Sequence, residues 1–381
     1  MAVEYLDQGR AEAAQRLLEQ IVGERPEFAG AWLDLAVAAY RAGQLDAALE
    51  HLAYVREQFP LNPLLARQVE TWQREWRTAR GAGVPSIWRG EIQLDAGYDD
   101  NVNAGLSRSQ ITLTIPGGQA ILPLASSYRP RGDSFTQLGI SLWRSWQLAE
   151  GSLHPLLQVR YRQMGSERDY DQVDLQGGLM YQQVPDEDGR SWQAGLLLQH
   201  YRLGGSTLGN TQRVVLQRLQ QHEQCRLAWG GEVEERSYPG LPLDGRIFWL
   251  DAGLACQNSA ALMWSASLRT GWERPEQSSR PGGGNRQWEL NLQGSYRFDS
   301  RLSLDWRWQY SLILDQEGYS PLLSENERRR LRQQFLGVGL QRALGEEWLL
   351  RLGLELQRQG SNLQIFEQNS SQIGVSLRRA F

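Results

Sequence analysis

The residues best equipped for catalysis or metal binding are four histidines, His51, His154, His200 and His222, and two cysteines, Cys225 and Cys256. The histidines fall in different segments without metal-ligand spacing, and neither G-x-S-x-G nor H-E-x-x-H occurs. His200 with Ser206 comes nearest to a base and a nucleophile, but a working pair needs a third group to orient the base. The sequence therefore predicts no catalytic residue, no metal site and no cofactor. The cysteines share the parity of their apolar neighbours, Leu227 and Trp229 for Cys225, Leu250 and Leu254 for Cys256. A hairpin turning near Leu241 sets them almost opposite each other. Two readings stay open: a disulfide, which an oxidising compartment permits, or two reduced thiols, because cross-strand geometry is restrictive.

The charged residues form a larger set. Glu91, Asp95, Asp99, Arg160, Arg162, Glu232, Glu234, Arg269, Glu289, Arg297, Asp305, Arg307, Arg351 and Glu355 all take the polar parity of alternating segments. If those segments are barrel strands, these side chains line the lumen. Both signs are interspersed, whereas a dedicated ion pore biases one sign. The wall suits ion pairs that brace the barrel, or a polar passage for a varied polypeptide.

The elements that carry these residues are legible from residue 87 onward as alternating apolar and polar segments. Leu302, Leu304, Trp306, Trp308, Tyr310, Leu312 and Leu314 share one face, with Ser303, Asp305, Arg307, Gln309, Ser311 and Asp315 on the other; only Ile313 breaks the pattern. Period-two alternation gives a strand one apolar and one polar face. Aromatic residues at the outward strand ends favour a membrane barrel over a soluble sandwich. The predicted fold class is multidomain: a TPR-like α-solenoid fragment at 1–84, then a 14-stranded antiparallel transmembrane β-barrel at 85–381. The strands are expected at 88–100, 134–149, 152–164, 169–183, 191–203, 210–222, 225–237, 245–257, 259–272, 286–298, 300–315, 329–343, 347–359 and 370–381. Tight links, such as Ala149–Ser152, Gln221–Cys225 and Ala343–Glu346, alternate with longer ones, such as Asn101–Asp133, Glu273–Asn285 and Gln316–Arg328. The first class reads as periplasmic turns and the second as surface loops. Within the longest loop, Ile111–Ile115 alternates and is expected to form a hairpin arm or an inward plug. The terminal Phe381 reads as a signal for barrel assembly.

Composition agrees with this class. The chain has 381 residues, 41% of them apolar, a net charge of -4 and no lysine, and no run of eighteen apolar residues. Its mean hydropathy is -0.52. A transmembrane helix is excluded, and the small net charge argues against nucleic acid. In the first part of the chain Gly9, Ala13, Ala14, Leu18 and Pro26 recur thirty-four positions later as Gly43, Ala47, Ala48, Leu52 and Pro60. That is the tetratricopeptide period, and Trp32, Leu35, Ala36 and Tyr40 fit the first helix of such a repeat. Helix is expected to continue from Pro63 to Arg80, followed by a hinge at Gly81–Pro85. No signal peptide precedes Ala2, so the natural chain is expected to begin earlier, with further repeats upstream.

The whole chain resembles the Slam-type (DUF560) proteins of the type XI secretion system, in its architecture, its strand count and the segment Gly97, Tyr98, Asp99, Asp100, Asn101, Val102, Asn103. That segment is similar to the family's Gly-Tyr-x-x-Asn-(Ile/Val)-Asn entry into the first surface loop. The resemblance implies an outer-membrane translocator in a Gram-negative bacterium, with the helical domain in the periplasm. It implies as partners outer-membrane lipid, the barrel-assembly machinery, a lipoprotein or secreted protein as cargo, and a periplasmic chaperone. Exopolysaccharide export and passive passage of small solutes are the alternatives.

Overall fold

The computed structural model describes residues 2–7, 11–59, 61, 63–81, 88–148, 150–259, 261–345 and 347–381. The chain divides into two compact units, Met1–Ile87 and Trp88–Phe381. Of the expected hinge, only Gly81 lies within the described residues, as the last residue of a helix; Gly9 and Pro60 of the repeat pattern also lie outside them.

The first unit is a run of helices, α1 (Ala2–Asp7), α2 (Ala11–Glu24), α3 (Ala29–Arg41), α4 (Leu45–Gln58) and α5 (Pro63–Gly81), each packed on the next. Ala14, Ala36, Ala38, Ala39 and Ala48 are completely buried. Their small side chains let helix backbones approach closely, as the repeat requires. Gly43 takes φ +78°, the left-handed conformation that closes α3 and reverses the chain into α4. Trp32 donates its indole N–H to the Pro26 carbonyl at 3.0 Å and packs on Tyr54 at 4.4 Å between ring centroids. The tetratricopeptide reading of this unit holds, and among the described residues no helix is long and apolar enough to cross a membrane.

The second unit is a closed, wholly antiparallel barrel of fourteen strands. In chain order the strands are β1 (Arg89–Asp99), a loop hairpin β2 (Gln110–Ile115) and β3 (Gly118–Pro123), then β4 (Asp133–Trp143), β5 (Trp146–Leu148), β6 (Gly151–Met164), β7 (Gln172–Gln183), β8 (Arg190–Leu203) and β9 (Ser206–His222). There follow β10 (Cys225–Ser237), β11 (Gly245–Gln257), β12 (Leu262–Pro275), β13 (Asn285–Arg297), β14 (Leu302–Asp315), β15 (Arg330–Ala343), β16 (Trp348–Ser361) and β17 (Gln368–Ala380). Each barrel strand pairs with its chain neighbour, and β1 pairs with β17 to close the ring. Gly90 and Phe381 seal this seam by exchanging two backbone hydrogen bonds of 2.9 Å.

Register confirms the two faces. Leu352, Leu354, Val214, Leu250 and Ile373 are all outward and between 46% and 57% exposed, which a water-facing surface of this extent does not tolerate. Such a belt is a surface for lipid.

Three local departures from the expected boundaries have physical causes. The segment predicted as one strand at 134–149 is interrupted at Arg144–Ser145, opposite Pro155 of β6, which has no N–H to give to the ladder. The link between β8 and β9 is a two-glycine turn with Gly204 at φ +55° and Gly205 at φ +82°, so β9 begins at Ser206 and not at 210. At the start of β12 the Ser259 hydroxyl accepts from the backbone N–H groups of Ala261 and Leu262 at 3.2 and 3.1 Å. That turn delays the strand from 259 to Leu262.

Candidate functional site

The lumen has two ends of different character. A cavity of about 1020 Å³ begins near Glu91 and Arg378, at the end where β1 starts and β17 finishes, and extends to Phe135, Arg162 and Gln372. Its wall includes six arginines, five carboxylates and nine glutamines, so its charge is close to balanced. Beyond it a chamber of about 310 Å³ lies under Asn101–Ala104 and is lined by Gln357, Gln368 and Ser370.

Most of the predicted lumen charges are tied to one another. Asp99 binds Arg162 at 2.9 Å, Glu289 binds Arg269 at 2.7 Å, and Asp305 binds Arg351 through two nitrogens at 3.0 and 2.9 Å. Glu234 pairs with Arg236 and receives the Trp249 indole N–H at 3.3 Å. Glu232 lies 3.9 Å from Arg269, and Glu91 lies 3.8 Å from Arg378. Asp95 accepts from the amides of Gln93 and Gln137 at 2.7 and 2.8 Å. Among the described residues Arg160, Arg297, Arg307 and Glu355 have no ion pair or side-chain hydrogen bond; Arg297 is exposed at the rim, and the other three line the large cavity.

Four glycines face one another directly across the wall of β15, β16, β17 and β1: Gly339 with Gly353, Gly353 with Gly374, and Gly374 with Gly97. A Cβ at Gly97 would stand 2.3 Å from the Ile373 carbonyl oxygen and 2.7 Å from the Phe135 ring. The missing side chain lets Phe135 lie flat against the wall. Arg162 then stacks on that ring at 3.8 Å.

The segment Gly97–Asn103 is a fastening for the first loop. Asp99 accepts from the Asn101 backbone N–H, Arg162 and the Ser370 hydroxyl at 3.0, 2.9 and 3.0 Å. The Asn101 amide donates to the carbonyls of Gly105 and Asn369 at 3.0 and 2.7 Å, and its oxygen accepts from the Gly105 N–H at 2.6 Å. Asn103 donates to the carbonyls of Ser127 and Arg129 and accepts from the Arg131 N–H. Val102 packs on Phe135 and Met164. Tyr98, by contrast, is outward and 49% exposed. From this base the loop runs over the rim as the β2–β3 hairpin, where the Thr114 N–H donates to the Leu322 carbonyl and the Thr112 N–H to Gln364. Ile111–Ile115 is therefore the hairpin arm of the two expected forms.

A further cluster closes the opposite part of the same end, and the candidate list above missed it. Buried Glu273 accepts from Arg280 at 2.7 Å and from Asn285, and Gln287 donates to Asn285 at 2.7 Å. Asp315 takes two nitrogens of Arg329 at 3.0 and 3.1 Å, and Arg329 lies over Phe366 at 4.8 Å. Glu273, Asn285, Gln287 and Asp315 hold inward parity at strand ends, the one signal that could have found them.

The histidines stay apart. His200 is on an outward face and bonds Asn210 at 2.7 Å, while Ser206 pairs with Leu203 at the turn, so the structure does not bring His200 and Ser206 together as a pair. His154 meets Ser152 at 2.7 Å, a contact between residues two apart on β6. Among the described residues no carboxylate hydrogen-bonds His154, and no group of His, Cys, Asp and Glu could hold a metal. Cys225 and Cys256 are directly opposite, with Cα atoms 4.1 Å apart, and form a disulfide at the rim where β1 starts and β17 finishes. That selects the first of the two readings.

Residues 5–67 match the tetratricopeptide repeat family, and no curated protein matches the chain. Solved structures similar to it include the TodX monoaromatic hydrocarbon channel deltaS2 mutant, at 13% identity and TM-score 0.39, covering 78% of this chain and 90% of that one. An anion-selective porin from Comamonas acidovorans is similar at 11% identity and TM-score 0.40, covering 77% and 99%. A Pseudomonas aeruginosa FadL homologue is similar at 10% identity and TM-score 0.41, covering 77% and 90%. At these identities and scores the likenesses say nothing of what this chain carries. The described residues form tetratricopeptide-like helices and a fourteen-stranded antiparallel barrel with a lipid-type exterior and a polar, charge-balanced interior.

Proposed function

We propose that this chain is a non-catalytic translocator of the Slam-like type XI class in a Gram-negative outer membrane, moving a lipoprotein or secreted protein to the cell surface. The observation that carries the reading is the large cavity with six arginines against five carboxylates. A wall without a dominant sign passes segments of either charge, which a varied polypeptide needs and a dedicated ion pore does not. On this reading the helical unit is periplasmic and recognises cargo or its chaperone, as tetratricopeptide surfaces do. Phe381, which closes the barrel seam with Gly90, is the assembly signal for the machinery that inserts barrels. The test is protease accessibility of a co-encoded candidate cargo on intact cells. Cargo should be cleaved only when the full chain is present, and equal cleavage in its absence would sink the proposal.

One observation favours the runner-up, exopolysaccharide export: nine glutamines line the same cavity, and neutral amides suit sugar hydroxyls. Secretion of a polymer without display of any protein, in the same cells, would transfer the assignment.

A further inference from the structure

The large cavity and the chamber beyond it share five lining residues: Arg162, Gln172, Phe335, Glu355 and Gln372. Residues that line two neighbouring cavities stand at the passage between them. Phe335 also lines a third cavity of about 260 Å³, so its ring sits where all three meet. The bond from Arg162 to Gln372, at 3.0 Å, spans β6 and β17 within this group. Arg162 is itself fixed from two sides, by Asp99 at 2.9 Å and by the Phe135 ring at 3.8 Å. The positive charge at the passage is thus neutralised within a pair. Glu355 faces the same passage and, among the described residues, has no salt bridge or side-chain hydrogen bond; the neighbouring guanidinium of Arg351, which lies over Gly353 and interacts electrostatically with Glu355, is itself bound to Asp305.

We propose that these five residues form the constriction of the lumen, with Phe335 limiting flow and the unpaired Glu355 giving small ions a preference for cations. The proposal rests on reading the lumen as a passage, and adds to it where selectivity is set. Two unpaired arginines, Arg160 and Arg307, oppose this preference, but they line the wide cavity. Charge at the narrowest point governs selectivity because an ion there loses the most water and the least of the field is screened.

The test uses the purified full chain in planar bilayers under a potassium chloride gradient. The wild type should reverse on the cation side of zero, and Glu355→Gln should bring the reversal potential toward zero or past it. Phe335→Ala should raise conductance by roughly twofold or more, because it removes the obstruction at the narrowest section. Phe335→Leu, which keeps most of the volume, should give a smaller rise and serves if the alanine variant does not fold. Arg307→Gln should move reversal far less than Glu355→Gln. An unchanged reversal potential in Glu355→Gln, an anion-side wild type, or silence of wild type and both Phe335 variants alike would each overturn the proposal. Cargo display is measured in the same strains. Absence of display with these ion effects intact would remove the translocator reading and leave the constriction standing.

Discussion

The two ends of the barrel are built differently. The end where β1 finishes and β17 begins is held by long loops folded onto buried side chains: Asp99, Asn101 and Arg162 on one side, Glu273, Asp315 and Arg329 on the other. The end where β1 begins and β17 finishes has short links and a disulfide between β10 and β11, and the large cavity extends to it. Strand alternation sets only which side chains face inward. Whether an end is shut depends on inward residues that reach across strands to loop backbone, and those sit within a few positions of the strand termini.

The harshest way to break the closed end is Gly97→Ala. Its Cβ would meet main-chain oxygen at 2.3 Å as well as the Phe135 ring, and backbone cannot swing aside. Most of the protein should lose the heat-modifiable, folded form on electrophoresis. Gly353→Ala is the matched control, since there the nearest atoms belong to the flexible end of Arg351; it should stay folded. Equal behaviour of the two would show that the glycine row has no role in seating Phe135.

At the other end, Cys225→Ala removes the disulfide and should lower unfolding stability by about 2–4 kcal/mol, read from denaturant titration in detergent. Conductance should change little, because both cysteines take the outward parity and Cys256 borders the large cavity only near the rim. A large change in conductance would mean that this rim shapes the passage after all.

Asn101→Ala returns to the closed end with a smaller cost, about 1–3 kcal/mol for the buried groups left without partners. Its signature is local: protease should cut between 107 and 129 many times faster in the folded variant than in the wild type. Resistance equal to wild type would show that the hairpin contacts at Thr112 and Thr114 hold the loop alone.

The smallest effect is a control outside both ends. Burial lowers the pKa of His51 in α4 below its ordinary 6.5, partly offset by Glu50 and Glu19. The unfolded chain then takes up the proton first. The helical unit should have its full stability above about pH 6.5 and lose part of it as pH falls through that value toward the folded pKa. The loss should be well under a few kcal/mol and should disappear in His51→Gln, while the barrel transition stays put. A loss that persists in the variant would assign it to another group.

The sequence made the barrel legible because period-two alternation is set by strand geometry alone, and Leu302–Asp315 reads the same on paper and in the fold. The strand ends were harder. Pro155 interrupts a ladder from the neighbouring strand, and Ser259 delays another by capping N–H groups, neither of which alters hydrophobic periodicity. At the candidate site, parity identified the lumen charges but not their partners: Asp99 with Arg162 and Asp305 with Arg351 are 63 and 46 residues apart in the chain. Glu273 escaped, and Asp315 was legible only as one member of a polar face, because their importance comes from loop residues, Arg280 and Arg329, that fold back onto them.

The fastening of the first loop also dictates an order of events during assembly. Asn101 donates to the Asn369 carbonyl and Asp99 receives the Ser370 hydroxyl, contacts that span 268 and 271 residues. Both partners belong to β17, the strand that completes the ring by pairing with β1. Long-range contacts of this kind form late, after the entropy of bringing distant segments together has been overcome. The latch on the far mouth can therefore be complete only once β17 lies beside β1, so closing the ring and fastening the first loop are one coupled event.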